Sequence, residues 1–150
     1  MGKNNVKFCF NFDMNGTILG PNRIMVTGGD DLKHFAEQFC REYGLNADFN
    51  QNVHSSDSSP FCDKGIPALG LSRGSKTCEI HTRNDIIFPL SAAQLKKDGD
   101  FAAAIISRVV NSKIIPVGCG MPDDMKEKLN KYFQRDKTSL AEDAEKAAKA

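Results

Sequence analysis

One short run limits what this chain can become: residues 66–71, Ile-Pro-Ala-Leu-Gly-Leu, apolar throughout and set between turn residues. Six residues without polar alternation predict a strand buried on both faces in the middle of a sheet. Strands of that kind occur mainly where helices cover both sides of the sheet, so the expected class is α/β, with a mixed, mostly parallel sheet flanked by helices. In such sheets ligands gather beyond the carboxyl ends of the strands. His81 follows this strand in a glycine-bearing loop, the place for a metal ligand or a catalytic base.

The rest of the chain supplies the sheet around it. Residues 6–12 alternate cleanly between polar and apolar and predict a strand running into the polar turn Asp13-Met14-Asn15-Gly16. Residues 23–27 and 47–53 predict two more strands. Between them, Leu32, Phe35, Ala36, Phe39, Cys40 and Tyr43 recur at helical spacing, with Asp30 or Asp31 as N-cap and Gly44 as the stop. Pro60 opens a short helix ended by Gly65. Further on, residues 91–95 and 101–111 read as two separate helices. Residues 122–135 read as a charged amphipathic helix with Met125, Leu129, Tyr132 and Phe133 inward. The last stretch, 136–150, is rich in Ala, Glu and Lys and is expected to be a frayed helix or a charged tail. Residues 1–135 are thus one domain, as a length of 150 residues allows.

Charge narrows the partners. A formal net charge of +1 without a basic block argues against nucleic acid and anionic membranes. No apolar run is long enough to span a bilayer. Five cysteines, an odd number without CxxC spacing, argue against a zinc ribbon. Cys62 and Cys78 flank the central strand and are candidates for pairing, but buried free thiols are the simpler reading, which points to a reducing, cytoplasmic setting.

Among the polar residues, Asp13 and His81 are both expected at one rim of the sheet, and zinc accepts carboxylate and imidazole alike. Each also has an ordinary role, Asp13 as a turn former and His81 as a structural histidine. Asp85 reads either as the N-cap of the following helix or as an acid holding the His81 loop. Asp57, within Ser-Ser-Asp-Ser-Ser, is an Asx-turn former or a similar supporting acid. His34 falls on a polar helix face, and nothing fixes His54 at the rim. No serine lies in a G-x-S-x-G elbow, and no phosphate-binding glycine loop is present.

Three segments together resemble the zinc-dependent aminopeptidase family, which includes bacterial leucyl aminopeptidases, aminopeptidase Y and glutaminyl-peptide cyclotransferases. Residues 12–16 (FDMNG) are similar to its LDMxG strand end. Residues 56–61 (SDSSPF) and 65–68 (GIPA) are similar to its SDHxPF and GIPA pieces, and residues 81–85 (HTRND) to HTxxD. The likeness spans roughly residues 5–115. It implies part of an α/β/α sandwich and a centre of two zinc ions bridged by an aspartate and a water, with a glutamate as general base. On that resemblance Asp13 ligates one metal and His81 the other, while Asp57 and Asp85 are structural or supporting acids.

The chain departs from the family in two places. Ser58 stands where the family usually has histidine. The family's first histidine ligand, bridging aspartate and Glu-Glu pair precede its LDMxG strand, whereas the twelve residues before Asp13 hold no His, Asp or Glu. The expectation is the C-terminal half of a catalytic domain, with no catalytic base of its own, weak or no zinc binding alone, and a peptide substrate for the complete enzyme. An uncovered sheet edge further predicts self-association or pairing with an N-terminal segment. Two alternatives are a non-catalytic binding or assembly module and a glutaminyl cyclase-like acyl transferase.

Overall fold

The computed structural model describes residues 6–74, 80–115, 118 and 120–135. Four strands, β1 (Cys9–Phe12), β2 (Asn22–Thr27), β3 (Ala47–Gln51) and β4 (Ala68–Arg73), form one sheet in the order β1-β4-β2-β3. β1 runs parallel to β4 and β2 parallel to β3, while β2 and β4 are antiparallel. The expected mixed, mostly parallel α/β sheet is therefore present. The apolar run at residues 66–71 lies in its interior, where Ala68, Leu69, Gly70 and Leu71 are all buried.

Four helices cover the two faces: α1 (Asp30–Tyr43), α2 (Ser59–Asp63), α3 (Ala92–Val110) and α4 (Asp123–Tyr132). On one face, Leu32, Ala36 and Phe39 of α1 and Phe101 and Ile105 of α3 meet Ile24, Val26, Leu69 and Leu71 from the strands. The other face holds Cys62 of α2 and Met125 and Leu129 of α4 against Ala68, with Cys9 and Val53 beside them. Period-two alternation sends Leu69 and Leu71 one way and Ala68 the other, so each face of β4 meets its own helix pair. Each fully buried Leu, Ile or Phe contributes roughly 1.5–3 kcal/mol, which sets these two clusters as the main stabilising term.

Several expectations shift. The N-cap of α1 is Gly29, one residue early, and Asp30 and Asp31 occupy the first turn, where carboxylates favour the helix dipole. Gly44 ends α1 in the left-handed region, as expected. The two helices expected at 91–95 and 101–111 are one continuous helix, α3, which runs through Gly99. A mid-helix glycine costs about 1 kcal/mol, and burial of Phe101, Ala102 and Ile105 on the same helix outweighs it. Ser91, whose hydroxyl accepts from the Gln94 amide, caps α3, so Asp85 is not its N-cap. In α4, Met125 and Leu129 are buried and Phe133 just beyond it packs on the same cluster, but Tyr132 is exposed, with its ring edge-on to Phe133 and its hydroxyl near Ser55. The expected tail at 136–150 lies outside the described residues.

Candidate metal-site rim

Because β1 and β4 are parallel, their carboxyl ends reach the same rim, and the chain leaves β1 directly into Asp13. The Asp13 amide still donates to the carbonyl of Leu71 on β4, at 3.3 Å. Met14 takes a left-handed φ of 58°, and its carbonyl accepts from the Arg73 amide at 3.0 Å. Asn15 clamps the turn: its Nδ2 donates to the carbonyls of Asp13 (3.0 Å) and Leu71 (2.8 Å). Gly16, at φ 85°, donates its amide to Asp98 Oδ2 at 2.9 Å and accepts from the Ser91 amide at 2.8 Å. The turn that presents Asp13 is thus fastened to β4 on one side and to the start of α3 on the other.

The loop carrying His81 leaves the end of β4 and comes back to that same turn. Thr17 bridges Leu90, and the Ile18 amide donates to the Pro89 carbonyl at 3.0 Å. His81 is exposed and has a left-handed φ of 65°, a conformation few non-glycine residues adopt. Asp85, also exposed, donates its amide to the Thr82 carbonyl at 3.1 Å and so closes the turn 82–85 that follows His81. Asp57 lies elsewhere. It sits exposed in the connection from β3 to α2, next to Ser56, whose hydroxyl accepts from Asn11 Nδ2 on the sheet face at 2.9 Å.

Neither of the other histidines joins Asp13 at the rim. His34 is exposed on α1. His54 is half-buried with Nε2 3.2 Å from the Asn50 carbonyl, and burial lowers its pKa against the smaller raising effect of that hydrogen bond. Cys62 is a buried free thiol, and its candidate partner Cys78 lies outside the described residues. Burial pushes Cys40 and Cys62 up to about 11.

Sequence reasoning missed Asp98. It is 3% exposed and carries no motif, but it is the acid that fixes Gly16 and so aims the Asp13 turn. Its signal was faint: an acid on the apolar side of a helix, four residues after Gln94, whose amide donates to Asp98 Oδ1 at 2.7 Å.

Carboxylate and imidazole, the side chains of Asp13 and His81, are both donor types that zinc accepts. The donor number does not close a site: among the described residues no group of three or more His, Cys, Asp or Glu side chains is placed to hold a metal. A cavity of about 680 Å³ opens instead at the opposite end of β1 and β4, lined by Val6, Phe61, Ile66, Pro67 and Ile114 among others, with no acid or histidine among the described residues of its wall.

A four-stranded, mostly parallel sheet covered by helices on both faces is an aminopeptidase-like α/β fold. The chain belongs to peptidase family M28, whose sequence profile matches residues 2–106. Two structures of BSAP, a zinc aminopeptidase from Bacillus subtilis, share its fold, at 24% identity and TM-scores of 0.58 and 0.56. Each comparison covers 80% of this chain and 32% of that one, so this chain spans about a third of the length of the enzyme it resembles. Comparison with curated proteins gave no match.

Proposed function

We propose that residues 1–135 are the C-terminal part of an M28-type catalytic domain that hydrolyses peptides from their N-terminus, with Asp13 and His81 each ligating one of two zinc ions. One observation carries this reading: the Asp13 turn is stitched to both ends of the loop that bears His81, through Leu71 and Arg73 at its start and Pro89 to Ser91 at its end. Two zinc ions, when bound, supply an activated water for attack on a peptide carbonyl. Asp13 offers its carboxylate from a turn rigid enough to hold it, and Asp85 closes the turn that follows His81. Asp57 sits exposed in the β3–α2 connection.

A catalytic zinc takes three protein ligands, so two donors serve two metals only if further ligands, and the general base, come from outside the described residues. By itself the chain is therefore an inactive, weak zinc binder. No described helix is long and apolar enough to cross a membrane, and free thiols at Cys9, Cys40 and Cys62 support a reducing, cytoplasmic setting.

Calorimetric titration with zinc, paired with an assay for release of leucine from a leucyl anilide, tests the reading. Weak binding, reduced further in Asp13→Ala and in His81→Ala, without turnover, is expected. Sub-micromolar binding with turnover would overturn the incomplete site. Weak binding indifferent to both substitutions would remove these two residues from it.

A further inference from the structure

Asparagine is a chemically labile residue, and most so before glycine, whose amide has no side chain to block its approach to the asparagine carboxamide. Aspartate before glycine is the counterpart for isomerisation. Each combination occurs once in the chain, as Asn15-Gly16 and Asp98-Gly99. The fold sets the two against each other: the Gly16 amide donates to Asp98 Oδ2 at 2.9 Å. Further contacts hold the pair still. Asn15 Nδ2 donates to the carbonyls of Asp13 and Leu71, at 3.0 and 2.8 Å, while Asn15 Oδ1 is buried and meets no donor among the described residues. The Gly16 carbonyl accepts from the Ser91 amide at 2.8 Å. Gly99 stands inside α3, where a helical amide points along the axis to the preceding turn and away from its neighbour's side chain.

We propose that Asn15-Gly16 is a latent deamidation site and that Asp98 is the lock that keeps it closed. Deamidation begins when hydroxide takes the Gly16 amide proton and the nitrogen bonds to Asn15 Cγ. The Cγ–Nδ2 bond then breaks, ammonia leaves, and a five-membered succinimide remains. Water adds to either of its carbonyls and opens the ring to aspartate or isoaspartate, so no oxidant or reductant is needed. In the fold the Gly16 proton is held by a carboxylate, whose charge opposes the anion that must form. Two carbonyls hold Nδ2 in place, and no described donor meets the charge that would build on Oδ1. All three oppose the same ring closure. Once it occurs, the change is one-way. A carboxylate oxygen replaces the Nδ2 donor and faces the carbonyls of Asp13 and Leu71, and isoaspartate lengthens the backbone of the turn as well. Either product unfastens this turn from β4. The inference rests on these hydrogen bonds and not on the zinc reading.

Timed incubation in mildly alkaline, metal-free buffer, followed by tryptic mapping with mass spectrometry, reads the deamidation rate at Asn15. In the folded wild-type chain the rate is expected to be at least about tenfold below that in urea, because reaction must await a local opening. Asp98→Ala is expected to raise the folded-state rate by roughly tenfold or more, and Asp98→Asn, which keeps one acceptor, by less. Position 98 falls in a different tryptic peptide, so the two sites are read separately. Leu129→Ala empties a core position on the other face of the sheet and is expected to stay slow despite its lost stability. If Asp98→Ala does not fold, the wild-type ratio and the Asp98→Asn rate decide. Equal rates for wild type in buffer and in urea would overturn the proposal. So would an Asn15 rate unchanged by loss of the Asp98 carboxylate, or an acceleration in Leu129→Ala as large as in the Asp98 variants.

Discussion

The carboxylate of Asp98 accepts a hydrogen bond from the Gly16 amide at 2.9 Å, joining a buried turn of α3 to the loop that follows β1. Eighty-two positions separate the two residues in sequence. In space they form the joint that decides where Asp13 points.

Removing the carboxylate leaves the buried Gly16 N–H and the Gln94 amide without their acceptor. Asp98→Ala should therefore cost about 2–3 kcal/mol, since hydrogen bonds to charged groups sit near the top of the usual range. Urea denaturation measures it, and Asp98→Asn, which keeps one acceptor, should recover part of the loss. Gly16→Ala strikes the joint from the other side. With φ at 85° and a new Cβ 3.1 Å from Leu95 Cβ, it should cost roughly 1–3 kcal/mol. A loss under about half a kcal/mol in either variant would show that the turn holds itself.

Phe101 is fully buried, with its ring 5.6 Å from that of Phe39 and 5.2 Å from that of Tyr43, both edge-on. Phe101→Ala should lower stability by about 3–5 kcal/mol, the usual cost of emptying an aromatic site. Phe101→Leu should cost clearly less. Equal losses in thermal unfolding would mean that ring geometry, not filled volume, dominates there.

Burial pushes the Cys40 and Cys62 thiols up to about 11. At pH 8 only about one in a thousand of each is thiolate, so both should resist iodoacetamide in the native protein and react fully in urea. Mass spectrometry of the labelled peptides reports the outcome. Rapid native labelling of either residue would place it on a surface that opens.

The Arg135 guanidinium binds Asp63 through two hydrogen bonds, one of them 2.9 Å from Nη2, and holds the Asp63 carboxyl below its ordinary range. A depressed carboxyl stabilises the fold above its unfolded pKa of about 3.9 and loses that contribution as pH falls through the folded value. The stability gap between wild type and Arg135→Met should accordingly be widest near neutral pH and close in acid below about pH 4. The gap should also shrink in high salt, because the pair is partly exposed. A gap constant in pH would mean that Arg135 acts by packing its stem on Phe133, 5.0 Å from its guanidinium.

Local chemistry made much of this legible in advance. The unbroken apolar run at residues 66–71 could be satisfied only between two covered faces, and Gly44 and Gly65 take the left-handed conformations that end α1 and the α2 segment. The three segments around Asp13, Asp57 and His81 pointed to the family that the profile match then established. These are properties of a few adjacent residues, so the linear chain contains them.

Other features depend on residues distant in sequence. Nothing in the sequence told that β2 and β3 run against β1 and β4, because strand direction follows from how the connections pack and not from the strands' composition. Asp98 and Gly99 looked like a break between helices until the fold set Gly16 opposite the carboxylate and made the continuous helix favourable. Asp85 lost its place as a cap for a related reason, since α3 begins only where Ser91 can bond back to Gly16. Sequence determined which residues seek burial and which turns end an element; the tertiary structure decided which polar groups meet, because a buried hydrogen bond needs both partners and they lie far apart along the chain.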